Sequence, residues 1–453
     1  MQRNVHHEGM GMDTFEALES AVRSYCRTFP VVFTSASGAT LVDEEGRPYV
    51  DLLSGAGALN YGHNPPEMKR AMIEYLEGDG VLHSLDMATA AKRRFLERFD
   101  EVVLRPRGLS YRVQFPGPTG TNAVEAALKL ARKVTGRQTV ACFANAYHGM
   151  TLGALAVTGN AGKRRGAGVP LSHALFLPYD GDLGPGVDTL DHFEQMLSNP
   201  GSGVELPAAV ILETVQAEGG VKVASAAWLR RLERIARLHG ILLIVDDIQV
   251  GCGRTGDFFS FEEAGIRPDL VCLSKSISGA GLPMALVLIR PDLDAWAPGE
   301  HNGTFRGNNL AFVTAAEALS RWENDALSRE VRRKEARVTE RLGEMAARFP
   351  AARAHVRGRG LVQGLVCGTP GVAREASREA FARGVVVETA GPRDEVLKLL
   401  PPLTIPDALL ERALDIIEES LEASLAAVAG EVAIATVPIG TLPIATVPIA
   451  TVA

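Results

Sequence analysis

Residues 241–279 read ILLIVDDIQVGCGRTGDFFSFEEAGIRPDLVCLSKSISG. The runs Ile241–Val245 and Leu270–Leu273 are apolar at every position and too short for ordinary helices, the pattern of central strands covered on both faces. Each gives way to polar residues, Asp246-Asp247 after the first and Ser274-Lys275 after the second. Further runs lie at Val113–Phe115, Val140–Phe143, Ala208–Leu212 and Ala285–Ile289. Between them come helical patterns. Ala123, Ala127, Leu130, Ala131 and Val134 share one face, as do Trp228, Leu232 and Ile235. Alternation of this kind predicts an α/β fold wound about a mostly parallel sheet.

The flanks read differently. Residues 326–430 carry a charged helix pattern (Leu327–Arg348), an apolar strand (Leu361–Val366), a second strand near Val385–Val387 and a Leu/Ile-rich helix (Ala408–Ala427). They are expected to form a smaller α+β domain beside a large one spanning 56–325. Within residues 1–55, Thr40–Val42 and Tyr49–Leu53 flank the turn Glu45-Gly46-Arg47, a hairpin signal expected to pack on the smaller domain. Residues 431–453 repeat a motif like Ile434–Pro438, with proline at five-residue spacing, which predicts a tail without stable helix. His6 and His7 read as part of a loose terminus rather than a metal site.

The 453 residues carry a formal charge of -7, which argues against nucleic acid as the main partner. Five scattered cysteines without CxxC spacing suggest neither a disulfide framework nor zinc, and Cys142 and Cys272 read as core thiols. The opening MQRNVHHEGMGMD has no apolar leader, and no apolar run is long enough to span a bilayer, so a cytoplasmic protein is expected.

Glu213, Asp246 and Lys275 each stand where an apolar strand ends, and ligands bind at the carboxyl ends of parallel strands. Any one alone reads equally as a solvated cap; the three together point to a site. A partly buried Lys275 loses its proton easily and can attack an aldehyde. A buried Asp246 needs a cationic partner, and a protonated pyridine nitrogen would serve. Pro118–Asn122 precedes a helix, so Gly120 and Thr121 offer N–H groups and a hydroxyl to a phosphate, although Thr and Asn also cap helices with nothing bound. Tyr147-His148-Gly149 offers a flat ring, or simply a core aromatic.

These residues together resemble the class III (ω-amino) aminotransferases of the fold-type-I pyridoxal-phosphate enzymes. The resemblance rests on Thr119-Gly120-Thr121 with Glu125–Lys129, Tyr147-His148-Gly149, Glu213–Gly220, Val245–Gln249, Gly251–Gly256, Ser274-Lys275 and Asn302–Phe305. It implies pyridoxal 5'-phosphate as cofactor, Lys275 as its Schiff-base lysine and proton carrier, and Asp246 on the pyridine nitrogen. It further implies Gln249 near the ring hydroxyl, Ile248 beneath the ring, Tyr147 above it, His148 and Glu213 beside it, and Gly120 and Thr121 on the phosphate. Thr304 would reach the phosphate of a neighbouring subunit, which implies a homodimer, with a tetramer left open.

Leu59–Asn64, His148–Thr151, Ser276–Gly279, Gly299–Asn309 and Val22–Pro30 narrow the resemblance to members that exchange an amino group between glutamate and a small semialdehyde. Members acting on ornithine or 4-aminobutyrate, or moving the amino group within one semialdehyde, are the alternatives. Two departures bear on substrate. Met150 replaces an arginine that grips the substrate carboxylate in ornithine and 4-aminobutyrate enzymes. Lys398 replaces the arginine that normally pairs with the counterpart of Glu218, keeping the charge without the two-pronged fork. Arg306 stands where the family has glycine, and reads either as a substitute carboxylate contact or as the partner of a structural acid.

Overall fold

The computed structural model describes residues 10–435, and side-chain burial over residues 12–428. At its centre is a seven-stranded sheet. In chain order its strands are β1 (Arg112–Gln114), β2 (Val140–Phe143), β3 (Ala174–Leu177), β4 (Ala209–Leu212), β5 (Leu242–Asp246), β6 (Leu270–Leu273) and β7 (Leu286–Ile289). Across the sheet they run β1-β7-β6-β5-β4-β2-β3. β3, β2, β4, β5 and β6 pair in parallel, whereas β7 is antiparallel to both neighbours. The sheet is thus mostly parallel with one reversed strand, and six of its strands fall on the apolar runs.

Alternation within each run explains the double burial. In β5, Leu243 and Val245 join one core cluster while Leu242 and Ile244 join the other, and in β6 Val271 and Leu273 separate likewise from Leu270 and Cys272. The second cluster is closed by helix α1 (Gly120–Thr135), whose Ala123, Ala127, Leu130 and Ala131 are wholly buried. The first is covered by helix α2 (Ala226–Leu238), where Trp228, Leu232 and Ile235 are buried. Cys142 and Cys272 are both buried. β3 escaped the reading from sequence because it is an edge strand with Ala174, Leu175 and Phe176 only partly covered, set in a stretch rich in Gly and Pro.

A four-stranded antiparallel sheet (Ala354–Arg359, Val362–Cys367, Val396–Leu399, Glu388–Ala390) follows the large sheet, framed by helices Ala326–Arg348, Val372–Ala382 and Asp407–Ala435. The last helix runs past residue 430 to Ala435, the last described residue, and so enters the segment expected to begin a non-helical tail. The repeat from 436 onward lies outside the described residues, as do His6 and His7. The predicted hairpin is present as Thr40–Asp43 against Pro48–Asp51, with Phe33–Ser37 as a third strand, and Val50 pairs in parallel with Val385. Among the described residues no helix is long and apolar enough to cross a membrane.

Candidate active site

The carboxyl ends of β2, β4, β5 and β6 open onto a cavity of about 330 Å³, within the range of small-molecule sites. Strand register brings its polar groups together. Val245 lies beside Leu212 and Val271, so Glu213, Asp246 and the residues after Leu273 emerge at one level. Gly120, Thr121, Tyr147, His148, Glu213, Glu218, Asp246, Ile248, Gln249 and Lys275 all line this cavity, with Met150 at its rim.

Lys275 leaves β6 in a left-handed conformation (φ 52°), uncommon for a residue with a side chain and a form of strain found at functional positions. Its Nζ donates to the Ala56 carbonyl at 2.8 Å. Burial lowers the pKa of the amine from the usual lysine range; the Glu218 carboxylate opposes that shift and the Lys398 ammonium assists it. The Ala56 carbonyl also accepts from Gln249 Nε2 at 2.9 Å. It is presented by a left-handed turn, with φ values of 50°, 59°, 55° and 83° from Ser54 to Gly57. Glycine suits two of those four positions, and Ser54 and Ala56 tolerate the strain because the turn is packed against the site. A backbone acceptor has no signature in residue type; the only available signal was Gly55-Ala56-Gly57 itself.

The adjacent aspartates diverge as neighbours in an extended chain must. Asp246 turns to the cavity, where its Oδ2 lies 2.7 Å from His148 Nδ1 and its Oδ1 accepts from the Ile248 backbone at 3.2 Å. Asp247 turns away, and its Oδ2 accepts from the Ser260 backbone at 3.1 Å. Burial pushes the Asp247 carboxyl up to about 7 despite its bonds to Ser260. A folded-state value above the unfolded one means that its ionisation costs stability, a cost that begins above the ordinary carboxylate range and is complete above about 7. Asp247→Asn is therefore expected to keep turnover within about threefold. Its thermal stability relative to wild type should improve as pH rises toward 7 and then level off, as scanning calorimetry across that range would show; a tenfold loss of turnover would place Asp247 in the chemistry.

Glu213 accepts from the Tyr147 backbone at 3.0 Å, and burial, reinforced by Asp246, raises its pKa well above the carboxylate range. The Lys163 ammonium lies 4.2 Å from the centre of the Tyr147 ring. Thr119 and Asn122 form a capping box at the start of α1, so the capping reading of these residues holds, while Gly120 and Thr121 still face the cavity. A Cβ on Gly120 would come within 3.0 Å of Ile248 Cδ1, so the absence of a side chain keeps this end of the cavity open.

Lys398 does not line the cavity but stands behind Glu218, which does. Lys398 is fully buried, its Nζ 2.7 Å from Glu218 Oε1 and 3.0 Å from Glu388 Oε1. The pairing with Glu218 survives the exchange of arginine for lysine, and Glu388 is an added partner that reading the sequence did not find. Burial would raise the Glu218 carboxyl, but Lys398 and Lys275 outweigh it and bring it to about 2.

Thr304 and Arg306 are not brought to Lys275 within one chain. Thr304 is exposed on the segment before α3 (Asn309–Ala318). Arg306 lines a separate cavity of about 470 Å³ with Asp86, Arg112, Trp296 and His301. Among the described residues its Nε and Nη2 are buried without a hydrogen-bond partner, and the acids Asp86 and Asp294 line the same cavity.

The donor set suits pyridoxal phosphate. Among the described residues Gln249 Oε1 and His148 Nε2 are buried polar atoms without hydrogen-bond partners, which a ring hydroxyl and a further polar group would satisfy. Lys275 would join the aldehyde, Asp246 would face the ring nitrogen and the start of α1 the phosphate.

A model of the family described as aminotransferase class III matches residues 21–421. The chain is 57% identical over 412 residues to a diaminobutyrate–2-oxoglutarate transaminase of Halalkalibacterium halodurans, covering 91% of this chain and 96% of that protein. It is 58% identical over 418 residues to one of Bordetella parapertussis, with 92% and 96% covered. Among solved structures, the ornithine aminotransferase of Toxoplasma gondii superposes with a TM-score of 0.80 at 27% identity, covering 92% of this chain and 94% of that one. A transaminase from Virgibacillus superposes at 0.82 with 20% identity, a likeness of fold alone. The chain belongs to the class III aminotransferases and uses pyridoxal phosphate as its cofactor.

Proposed function

We propose that the enzyme transfers the amino group of L-glutamate to L-aspartate 4-semialdehyde, giving 2-oxoglutarate and L-2,4-diaminobutyrate, as the opening step of ectoine synthesis or of another route that consumes the diamine. The observation carrying this reading is identity above half, over nine-tenths of the chain, to transaminases named for that pair. Met150 at the cavity rim supports it, because a thioether cannot replace the arginine expected for an ornithine or 4-aminobutyrate enzyme.

The bound cofactor supplies an electron sink for the charge left when a substrate carbon loses its proton. The chain's own groups do the rest. Lys275 Nζ, its pKa lowered by burial, would accept the proton from the substrate carbon and serve as the proton carrier. Asp246, positioned by the contact of its Oδ2 with His148 Nδ1, would face the ring nitrogen and favour its protonated form. The exposed segment bearing Thr304 fits a homodimer in which that hydroxyl completes the partner's phosphate site.

The test is an assay of purified holoenzyme with glutamate and aspartate semialdehyde, with the product identified by mass. Production of diaminobutyrate at a rate at least about tenfold above that with ornithine or 4-aminobutyrate is expected. Preference for either of those donors, or conversion of a semialdehyde without consumption of glutamate, would reject the assignment. The genes that neighbour this one would separate ectoine synthesis from other uses of the diamine.

A further inference from the structure

Behind the cavity one ammonium is shared by two carboxylates. Glu388 and Lys398 face each other across an antiparallel strand pair, so sheet register fixes their separation. Glu218 arrives from elsewhere, in the turn after the short strand Val215–Gln216, and it alone of the three lines the cavity. Its Oε1 also accepts from Gln249 Nε2 at 3.0 Å. Tyr25, from the N-terminal segment, donates its hydroxyl to Glu388 Oε2 at 3.3 Å.

The charge count decides what this end of the cavity attracts. A lysine paired with one glutamate is neutral and recruits neither sign. A lysine paired with two leaves one negative charge over, and the carboxylate that faces the cavity is Glu218. Resting on the reading in the previous subsection, we propose that Glu388 is a positioning residue for substrate choice: by holding Lys398 it leaves Glu218 available to the non-reacting α-ammonium of a 2,4-diamino acid. Glu388 does not line the cavity and acts only through Lys398. In the other half-reaction the amino donor is a dicarboxylate, for which the same surplus charge is unfavourable, so removal of Glu388 affects the two substrates in opposite directions.

Titration of Glu388 supplies an independent handle. Burial raises its carboxyl against the pull of Lys398, and the other groups facing it are Glu218, Lys275 and the Tyr25 hydroxyl. Acidification therefore neutralises Glu388 before Glu218, which Lys398 and Lys275 keep ionised. The cluster then loses its surplus charge, and affinity for the diamino acid falls with pH.

The experiment follows both half-reactions of the holoenzyme by cofactor absorbance in single turnover, with L-2,4-diaminobutyrate and with L-glutamate. Glu388→Gln is expected to raise the half-saturating concentration of diaminobutyrate at least about tenfold, with the limiting rate held within about threefold, while that of glutamate falls. Glu388→Asp should recover part of the loss. In wild type the half-saturating concentration of diaminobutyrate should rise as pH falls, a dependence missing from the Gln variant. Should Glu388→Gln not fold, Tyr25→Phe keeps the charge but removes a donor to Glu388, and should move that pH dependence to higher pH. Equal losses with both substrates, or a pH dependence that persists in Glu388→Gln and is unmoved in Tyr25→Phe, would overturn the proposal. Wild-type enzyme inert toward diaminobutyrate would instead defeat the functional reading on which it rests.

Discussion

Lys275→Ala is expected to abolish turnover, by at least about 10⁴-fold, and to remove the visible absorption of cofactor joined to an amine. Two losses combine. Alanine offers no nitrogen to the cofactor aldehyde, and no base remains at the position from which the proton is moved. The Gln249 amide would keep the Ala56 carbonyl satisfied at 2.9 Å, so the turn from Ser54 to Gly57 should persist and the variant should fold. Replacing a buried amine whose pKa is already lowered by burial removes a desolvation cost, so thermal stability in the absence of cofactor should hold or rise slightly. The measurements are steady-state turnover, the visible spectrum and the melting temperature. A variant that stays coloured and active would refute the role of Lys275, whereas loss of activity with collapse of the fold would show only a structural part.

Much of the site was legible because it lies on the most regular part of the chain. Apolar runs at β4, β5 and β6 end on Glu213, Asp246 and Lys275, and parallel pairing carries those ends to one edge of the sheet. Spacing along such strands translates directly into proximity. The reading of the sequence placed Asp246 rather than Asp247 in the site, and in the structure Asp246 faces the cavity while Asp247 turns to Ser260. The legible part ends where contacts depend on long-range packing. Glu388 meets Lys398 through the register of a sheet in the smaller domain, and no local pattern around residue 388 announces it. The Ala56 carbonyl acts through its backbone, which is common to every residue. Arg306 shows the opposite limit: its place beside the motif Asn302–Phe305 implied nearness to the substrate, yet within one chain it opens on another cavity. Sequence adjacency on an exposed connecting segment fixes neither direction nor partner.

Asp246→Asn should retain cofactor while slowing both half-reactions by about 10²–10³-fold, the effect of losing one preorganised electrostatic contact in a water-poor site. An amide has nearly the shape of the carboxylate, so the hydrogen bond from the Ile248 backbone to Oδ1 can be kept. Lys275 and the start of α1 remain to hold the group. What changes is charge. On the proposed role, the carboxylate would favour a proton on the ring nitrogen and asparagine would not, which would weaken the cofactor as an electron sink. The contact with His148 Nδ1 at 2.7 Å extends the argument one residue outward. With a carboxylate at 246 the imidazole can donate from Nδ1, and with an amide the pair must choose which group donates. His148→Ala should accordingly lose part of the same rate, and adding it to Asp246→Asn should cost less than the product of the two single effects, because both act on one proton. Pre-steady-state rates of the four proteins, with cofactor content measured alongside, complete the cycle. Multiplicative effects would mean that His148 acts independently of Asp246, and a full rate in Asp246→Asn would remove the ring-nitrogen contact from the account.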